Sequence, residues 1–183
     1  MKRQIINYET LLKVTKAMSL SRDPEKVIQI TVESVRDTLG IKGCALFLIN
    51  HKSNQLEIAA SCGLSEEYLN KGPISSLHSI AKSLTEGPVA IYDVFDDPRI
   101  QYAEAAKSEG ITSILSVPIY VRGQVIGAMR VYTSERWEFT LEDVNFVQAL
   151  GQIAGILIDL SRLIQGQQEY IEVLTTMKEA RDM

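Results

Sequence analysis

The sequence predicts an α+β domain in which helices at both ends frame an antiparallel sheet, and three observations predict it. Apolar residues recur at helical spacing near the N-terminus and again from Phe139 onward. Between those segments the period changes to short strand-like runs separated by polar or glycine-bearing turns. The strongest run, TSILSVPIYVRGQVIGAMRVYTS, is apolar on both faces, which belongs in the middle of a sheet covered on each side.

In chain order, Ile5, Tyr8, Leu11, Leu12, Val14 and Met18 fall at helical spacing and define an N-terminal helix over residues 1–22. A second helix starts at Asp23, a suitable N-cap, with Pro24 in the first turn and Glu25 complementing the dipole. Val27, Ile28, Ile30, Val32, Val35 and Leu39 form its buried stripe, and Gly40 ends it. KGCALFLIN and NQLEIAAS flank the polar HKS and predict a β-hairpin. SEEYLNKG and SSLHSIAKSLTEG predict two short helices, PVAIYDV a strand, and PRIQYAEAAKSEG a short helix capped by Asp97. The two strands of the central run meet at Arg122-Gly123, where glycine supplies a positive φ. Alternation places Ile126, Ala128 and Tyr132 on one face and Val125, Met129 and Val131 on the other.

The last helix opens at Thr140, with Glu142 and Asp143 in its first turn. Along it, Leu150, Ile153, Leu157, Leu160, Ile164, Gln167, Ile171 and Leu174 alternate three and four apart, a heptad seam. Beyond Gly166 no sheet remains for its apolar positions to cover. The seam therefore predicts a homodimer through the terminal helices, although Leu150 to Leu160 pack equally well within one subunit. Residues 23–162 form the domain proper in this reading, and 163–183 a C-terminal coiled-coil signalling helix.

With 183 residues, 45% of them hydrophobic and 23% charged, the chain can bury a core. A net charge of −4 gives no footprint for nucleic acid or an anionic membrane. No apolar run reaches the roughly 18–20 residues of a membrane span in this reading. Asn7, Glu9 and Lys13 break up any signal-peptide core, so a cytoplasmic location is expected. Cys44, within GCALFLI, reads as a buried hydrophobe, and Cys62 is the more accessible of the two; a reducing cytosol disfavours a disulfide between them. Zinc-protease, phosphate-loop and nucleophile-elbow motifs are absent from the sequence, which points away from catalysis.

Four phrases in order, LEIAASCGLSEEYLNKGPI, GPVAIYDVFDDPR, EGITSILSVPIYVRGQVIGAMRVY and FTLEDVNFVQALGQIAGILI, make roughly residues 24–160 resemble a GAF domain, a small-molecule-sensing signalling module. The resemblance implies a central antiparallel sheet of about six strands. Terminal helices would cover one face, and short roof helices and loops would close a ligand pocket on the other. It implies a sensor acting through dimeric helices on an effector such as a histidine kinase or cyclase. Cyclic-nucleotide binders carry an Asn-Lys pair and a Phe followed by Asp-Glu. Here Phe139 and Asp143 remain, but Val144 replaces the Glu and Thr133-Ser134 stand near the Asn-Lys position. The bilin-tethering cysteine has no counterpart in RIQYAEAAKSEG, and no haem-ligating histidine lies between Arg99 and Pro118. Cys62 alone does not reproduce the cysteine set of the methionine-sulfoxide-reducing branch. Bilin, haem and cyclic nucleotide are thus disfavoured, and the cofactor is unknown.

Candidate pocket residues are Cys62, Tyr68, His78, Tyr92, Asp93, Arg99, Tyr102, Ser113, Ser116 and Arg130. The acidic stretch DVFDDPRIQY reads first as turn and cap chemistry. Its alternative is a pocket lid in which Arg99 and Tyr102 offer a cation and a phenol. The stretch lacks the histidines that a transition metal takes and the spacing of a calcium loop. His78 would bring a titratable group near neutrality, and Cys62 would need a lowered pKa to act in redox chemistry. Ser113 and Ser116 satisfy themselves locally or donate to a ligand. Arg130, on a central strand, requires a partner, either a structural carboxylate or a ligand anion. Trp137 reads as an anchor for the last helix. A module that only dimerises, its pocket filled by its own side chains, is the alternative function, and a thiol-based redox sensor using Cys62 is a third.

Overall fold

The computed structural model describes residues 8–20, 23–75 and 87–181. Helices α1 (Tyr8–Leu20) and α2 (Pro24–Leu39) lead into the hairpin β1 (Gly43–Asn50) and β2 (Gln55–Cys62). Then come α3 (Glu66–Leu69), β3 (Ile74–Ser75), β4 (Val89–Ile91) and α4 (Ala103–Ser108). The second hairpin, β5 (Ser113–Val121) and β6 (Gln124–Thr133), runs into α5 (Leu141–Arg181). The sheet order is β3-β2-β1-β6-β5-β4, antiparallel throughout. Five strands carry it, and the two-residue β3 extends one edge.

Local chemistry explains the element boundaries. Asp23 accepts hydrogen bonds from the backbone N–H groups of Glu25 (3.0 Å) and Lys26 (3.3 Å), Pro24 occupies the first turn, and Gly40 closes α2 at φ 63°. The β5–β6 turn has positive φ at both Arg122 (51°) and Gly123 (79°), the pattern of a tight hairpin matching strand twist. At α5, Thr140 Oγ1 accepts from Asp143 N–H and Asp143 accepts from Thr140 N–H, a reciprocal capping box. Trp137 stacks on Phe139 and reaches Asp143 through Nε1, which anchors that helix start.

Two cores sandwich the sheet. Val14 of α1, the stripe Ile28, Val32, Val35 and Leu39 of α2, and Val147, Leu150, Ala154 and Ile158 of α5 cover Leu46, Leu115, Val117, Ile119, Met129 and Val131. The opposite, roof-side core joins Ala45, Phe47, Leu56, Ile74, Ile91, Ile114, Ala128 and Tyr132 of the sheet to Tyr68, Val94, Ala106 and Ile111.

Three expectations are corrected. Ile126 packs on the helix side and Val125 on the roof side. Ile119 pairs with Gly127 and Tyr120 with Val125, so Ile126 is an extra residue that flips the alternation. The helix expected from Pro98 begins at Ala103, and Asp97 instead holds a turn by accepting from Arg99 N–H at 2.9 Å. Finally, α5 is long and apolar enough over Leu141–Leu174 to cross a membrane by length and composition alone. Phe146, Val147, Leu150, Ala154 and Ile158 of that stretch are buried in the helix-side core, which accounts for part of its apolar content.

Candidate functional site

Arg130 lies at the centre of β6, between Ala45 of β1 and Ser116 of β5 in register. Opposed residues on antiparallel strands share a face, and these two small neighbours leave room there for a guanidinium. Arg130 is only 5% exposed. Its guanidinium carbon stands 5.0 Å from the Phe47 ring centroid, within cation–π range. Its Nε and Nη2 have no hydrogen-bond partner among the described residues. The structural carboxylate that would pair it is not found among them.

A cavity of about 30 Å³ opens beside it, lined by Tyr68, Lys71, Ile74, Ile100, Gln101, Tyr102, Ile114, Arg130 and Tyr132. That is room for roughly one or two waters. Tyr68 meets Tyr132 edge-on, centroids 5.8 Å apart. Lys71 Nζ lies 3.8 Å from the Tyr68 ring centroid and donates to Tyr68 O at 2.9 Å. Tyr102 donates its hydroxyl proton to Pro73 O at 2.8 Å. Gly72 makes this possible: at φ 132° it has no side chain, and a Cβ there would stand 2.7 Å from the Tyr102 hydroxyl.

The electrostatics are lopsided. Burial, then the nearby Arg130, draws the Lys71 ammonium down to about 8. Burial pushes Tyr132 up to about 12 and Tyr68 further upward, so both phenols stay neutral near pH 7. No carboxylate among the described residues lines the cavity.

The remaining sequence candidates divide clearly. Tyr68, Tyr102 and Arg130 come together in the cavity wall, and Ser116 is buried opposite Arg130. Ser113 donates to Tyr92 O and Glu135 O and accepts from Trp137 N–H, tying three segments together outside the cavity. Tyr92 is 55% exposed. Asp93 accepts from Phe95 N–H and from Nε and Nη2 of Arg136; those bonds hold its carboxyl below the usual range. Arg99 clasps Asp97 on the exposed rim. Cys62 packs on the helix side, 3.8 Å from Arg36 Nη1, so it lies on the wrong face of the sheet to reach the cavity. Cys44 and Cys62 are register partners and both are free thiols. His78 lies outside the described residues, as does most of the helix expected around it. Lys71, Gln101 and Tyr132 escaped the sequence reading. Only Tyr132 left a signal, a polar-tipped aromatic sharing alternation with Arg130. Among the described residues no cluster of His, Cys, Asp and Glu is suited to hold a metal ion.

A small cavity between a six-stranded antiparallel sheet and short roof elements, backed by terminal helices, matches one family in sequence as well as shape. The GAF domain profile matches residues 21–159. The chain belongs to the GAF domain family. The GAF domain of a phosphoenolpyruvate-protein phosphotransferase from Coxiella burnetii superposes with a TM-score of 0.80 at 18% identity, over 90% of this chain and 99% of that one. A domain of a protein assigned as a two-component sensor histidine kinase from Sinorhizobium meliloti gives 0.70 at 20% identity, over 81% and 99%. Free methionine-R-sulfoxide reductase from Neisseria meningitidis, solved with its substrate, gives 0.72 at 18% identity, over 86% and 90%. At these identities the likeness shows the shared GAF fold. No curated protein sequence matches significantly.

Proposed function

We propose that this GAF domain is a non-catalytic sensory module that binds a small molecule in the roof-side cavity and signals through its terminal helices as a homodimer. One observation carries the reading: a guanidinium 5% exposed, with two N–H donors that have no partner among the described residues, in the wall of a cavity. Such a group costs several kcal/mol unless something pairs with it, and a transient ligand is a suitable partner.

The route from cavity to helix is short. Strand β5 offers Ile114 to the cavity and, seven positions further, Val121 to Gly155 of α5. Gln152 of α5 holds both the N–H and the carbonyl of Tyr120, and Arg122 pairs with Asp159 at 3.1 Å. A ligand favouring one sheet geometry would therefore bias the setting of α5. Beyond the core, Leu160, Ile164, Ile171 and Leu174 are each about half exposed, a seam that fits a second copy. Leu150 and Leu157 are buried in their own subunit and are withdrawn from that interface. The output would be an effector such as a histidine kinase or cyclase, in the cytoplasm.

The small cavity also favours a second reading, a dimerisation scaffold whose pocket is filled by Tyr68, Tyr102 and Tyr132. Native mass spectrometry of protein purified from its own host, beside a denatured spectrum, separates the two. A dimer carrying extra mass that is released on denaturation supports the sensor. A dimer at twice the bare chain mass supports the scaffold, and a bare monomer overturns both.

A further inference from the structure

Guanidinium groups present two N–H vectors side by side along the Nε–Nη2 edge, spaced to meet the two oxygens of a carboxylate. This chain uses that edge on carboxylates twice. Arg99 grips both oxygens of Asp97, Nε to Oδ1 at 2.9 Å and Nη2 to Oδ2 at 2.5 Å, and Arg136 closes the same two atoms on the single oxygen Oδ2 of Asp93, at 2.9 and 2.6 Å. In Arg130 the same edge has no partner among the described residues, in a far drier place than either of those pairs.

We infer that the ligand of this cavity is a small carboxylic acid, its carboxylate taken bidentately by the Nε–Nη2 edge of Arg130 with the Lys71 ammonium as second counter-charge. The inference rests on reading the roof-side cavity as the ligand site. Charge supports it: Lys71 and Arg130 are the charged groups among the lining residues, and both are cationic. Two cations near one another repel, and an anion between them removes that penalty. Size supports it too. About 30 Å³ admits a flat three-atom head group more readily than a tetrahedral phosphate. Ile74, Ile100 and Ile114 with the tyrosine rings complete the wall, so the group bearing the carboxylate is apolar.

The test uses the full chain, labelled with nitrogen-15, with the Arg130 Nε–Hε resonance identified by its loss in Arg130→Met. Acetate, its neutral isostere acetamide, and inorganic phosphate are titrated separately at millimolar concentrations. The expected result is a saturable shift of that resonance, and of the Ile114 and Tyr132 amides, with acetate alone. Lys71→Gln should weaken acetate binding by roughly tenfold, and Arg130→Met should abolish it. Three outcomes overturn the inference: no saturable acetate response, an equal response to acetamide, or a response to phosphate only. Equal acetamide binding, or a neutral compound recovered from the host protein while acetate is inert, would leave the sensor reading standing without the carboxylate. A filled, unresponsive pocket in host-purified protein would remove both.

Discussion

Replacing Arg130 with methionine sets two opposing effects against each other. The methionine keeps the linear stem and fills much of the same space beside Phe47, Ala45 and Ser116. It removes a charge 5% exposed and two N–H donors that lack partners among the described residues. Leaving a buried donor unmade costs about 1–3 kcal/mol, and replacing buried charges by apolar side chains of similar volume is often stabilising by about 1–4 kcal/mol. Against this stands the lost cation–π contact with Phe47, worth about 1 kcal/mol. Relief of the burial penalty outweighs the loss of that contact. Arg130→Met should therefore stabilise the ligand-free protein by about 1–2 kcal/mol, raising Tm by about 2–8 °C for a chain of this length. With an anion at a hundredfold its Kd, wild type gains about 2.7 kcal/mol that the variant does not, and the order of stability inverts. Calorimetry and urea titration with and without acetate measure both. A variant destabilised by about 1 kcal/mol or more without ligand would mean that the guanidinium holds the fold together, and the reasoning would fail.

Three further expectations concern other residues. Lys71, facing Arg130, Glu109 and the Tyr68 ring, has its folded pKa lowered from 10.5 to about 8. Between those values the unfolded chain binds a proton that the folded chain does not, so wild-type stability gains from Lys71 as pH rises from about 8 to 10.5; the wild-type Tm should rise relative to that of Lys71→Met over that window, and a constant difference would refute it. Gly127→Ala would drive a Cβ into the Phe47 carbonyl oxygen, a backbone clash that no rotamer relieves, and should cost about 3 kcal/mol in urea unfolding; an unchanged midpoint would contradict it. Leu157→Ala should destabilise the monomer by about 2–4 kcal/mol, whereas Ile171→Glu, 62% exposed, should leave monomer urea stability at high dilution intact while sedimentation shows the proposed dimer lost.

Where neighbours in sequence decide the geometry, the residues could be read directly. Asp23, Pro24 and Gly40 fix α2, Thr140 and Asp143 the start of α5, and Arg122-Gly123 the central hairpin. Reading failed where one residue changes the count or a partner lies far along the chain. Ile126 is such a residue, since its insertion reverses the side-chain alternation of everything before it. Asp93 looked like part of a self-contained acidic turn, yet Arg136, 43 positions later, closes on it. The site was only partly legible for the same reason. Arg130 announced itself as a charge among apolar strand residues. Lys71, in NKGP, resembled any surface lysine until the Tyr68 ring and Arg130 were folded beside it.

The unbroken 41-residue α5 has a mechanical consequence. At 1.5 Å per residue it is a rod of about 60 Å, of which some 35 Å extends past Ile158, the last of its residues in the helix-side core. Gly155 lets the rod sit tight on the sheet, where a Cβ would stand 2.5 Å from an Ile119 methyl carbon, so Ile119 is the contact about which the rod would tilt. A tilt of only about 5° there sweeps the far end through about 3 Å, larger than the shift that produced it at the strand by the ratio of the two arm lengths. In the sensory reading proposed above, the domain would thus work as a gearbox: movements of tenths of an ångström around β5 would emerge at the end of α5 as displacements on the scale of a side chain.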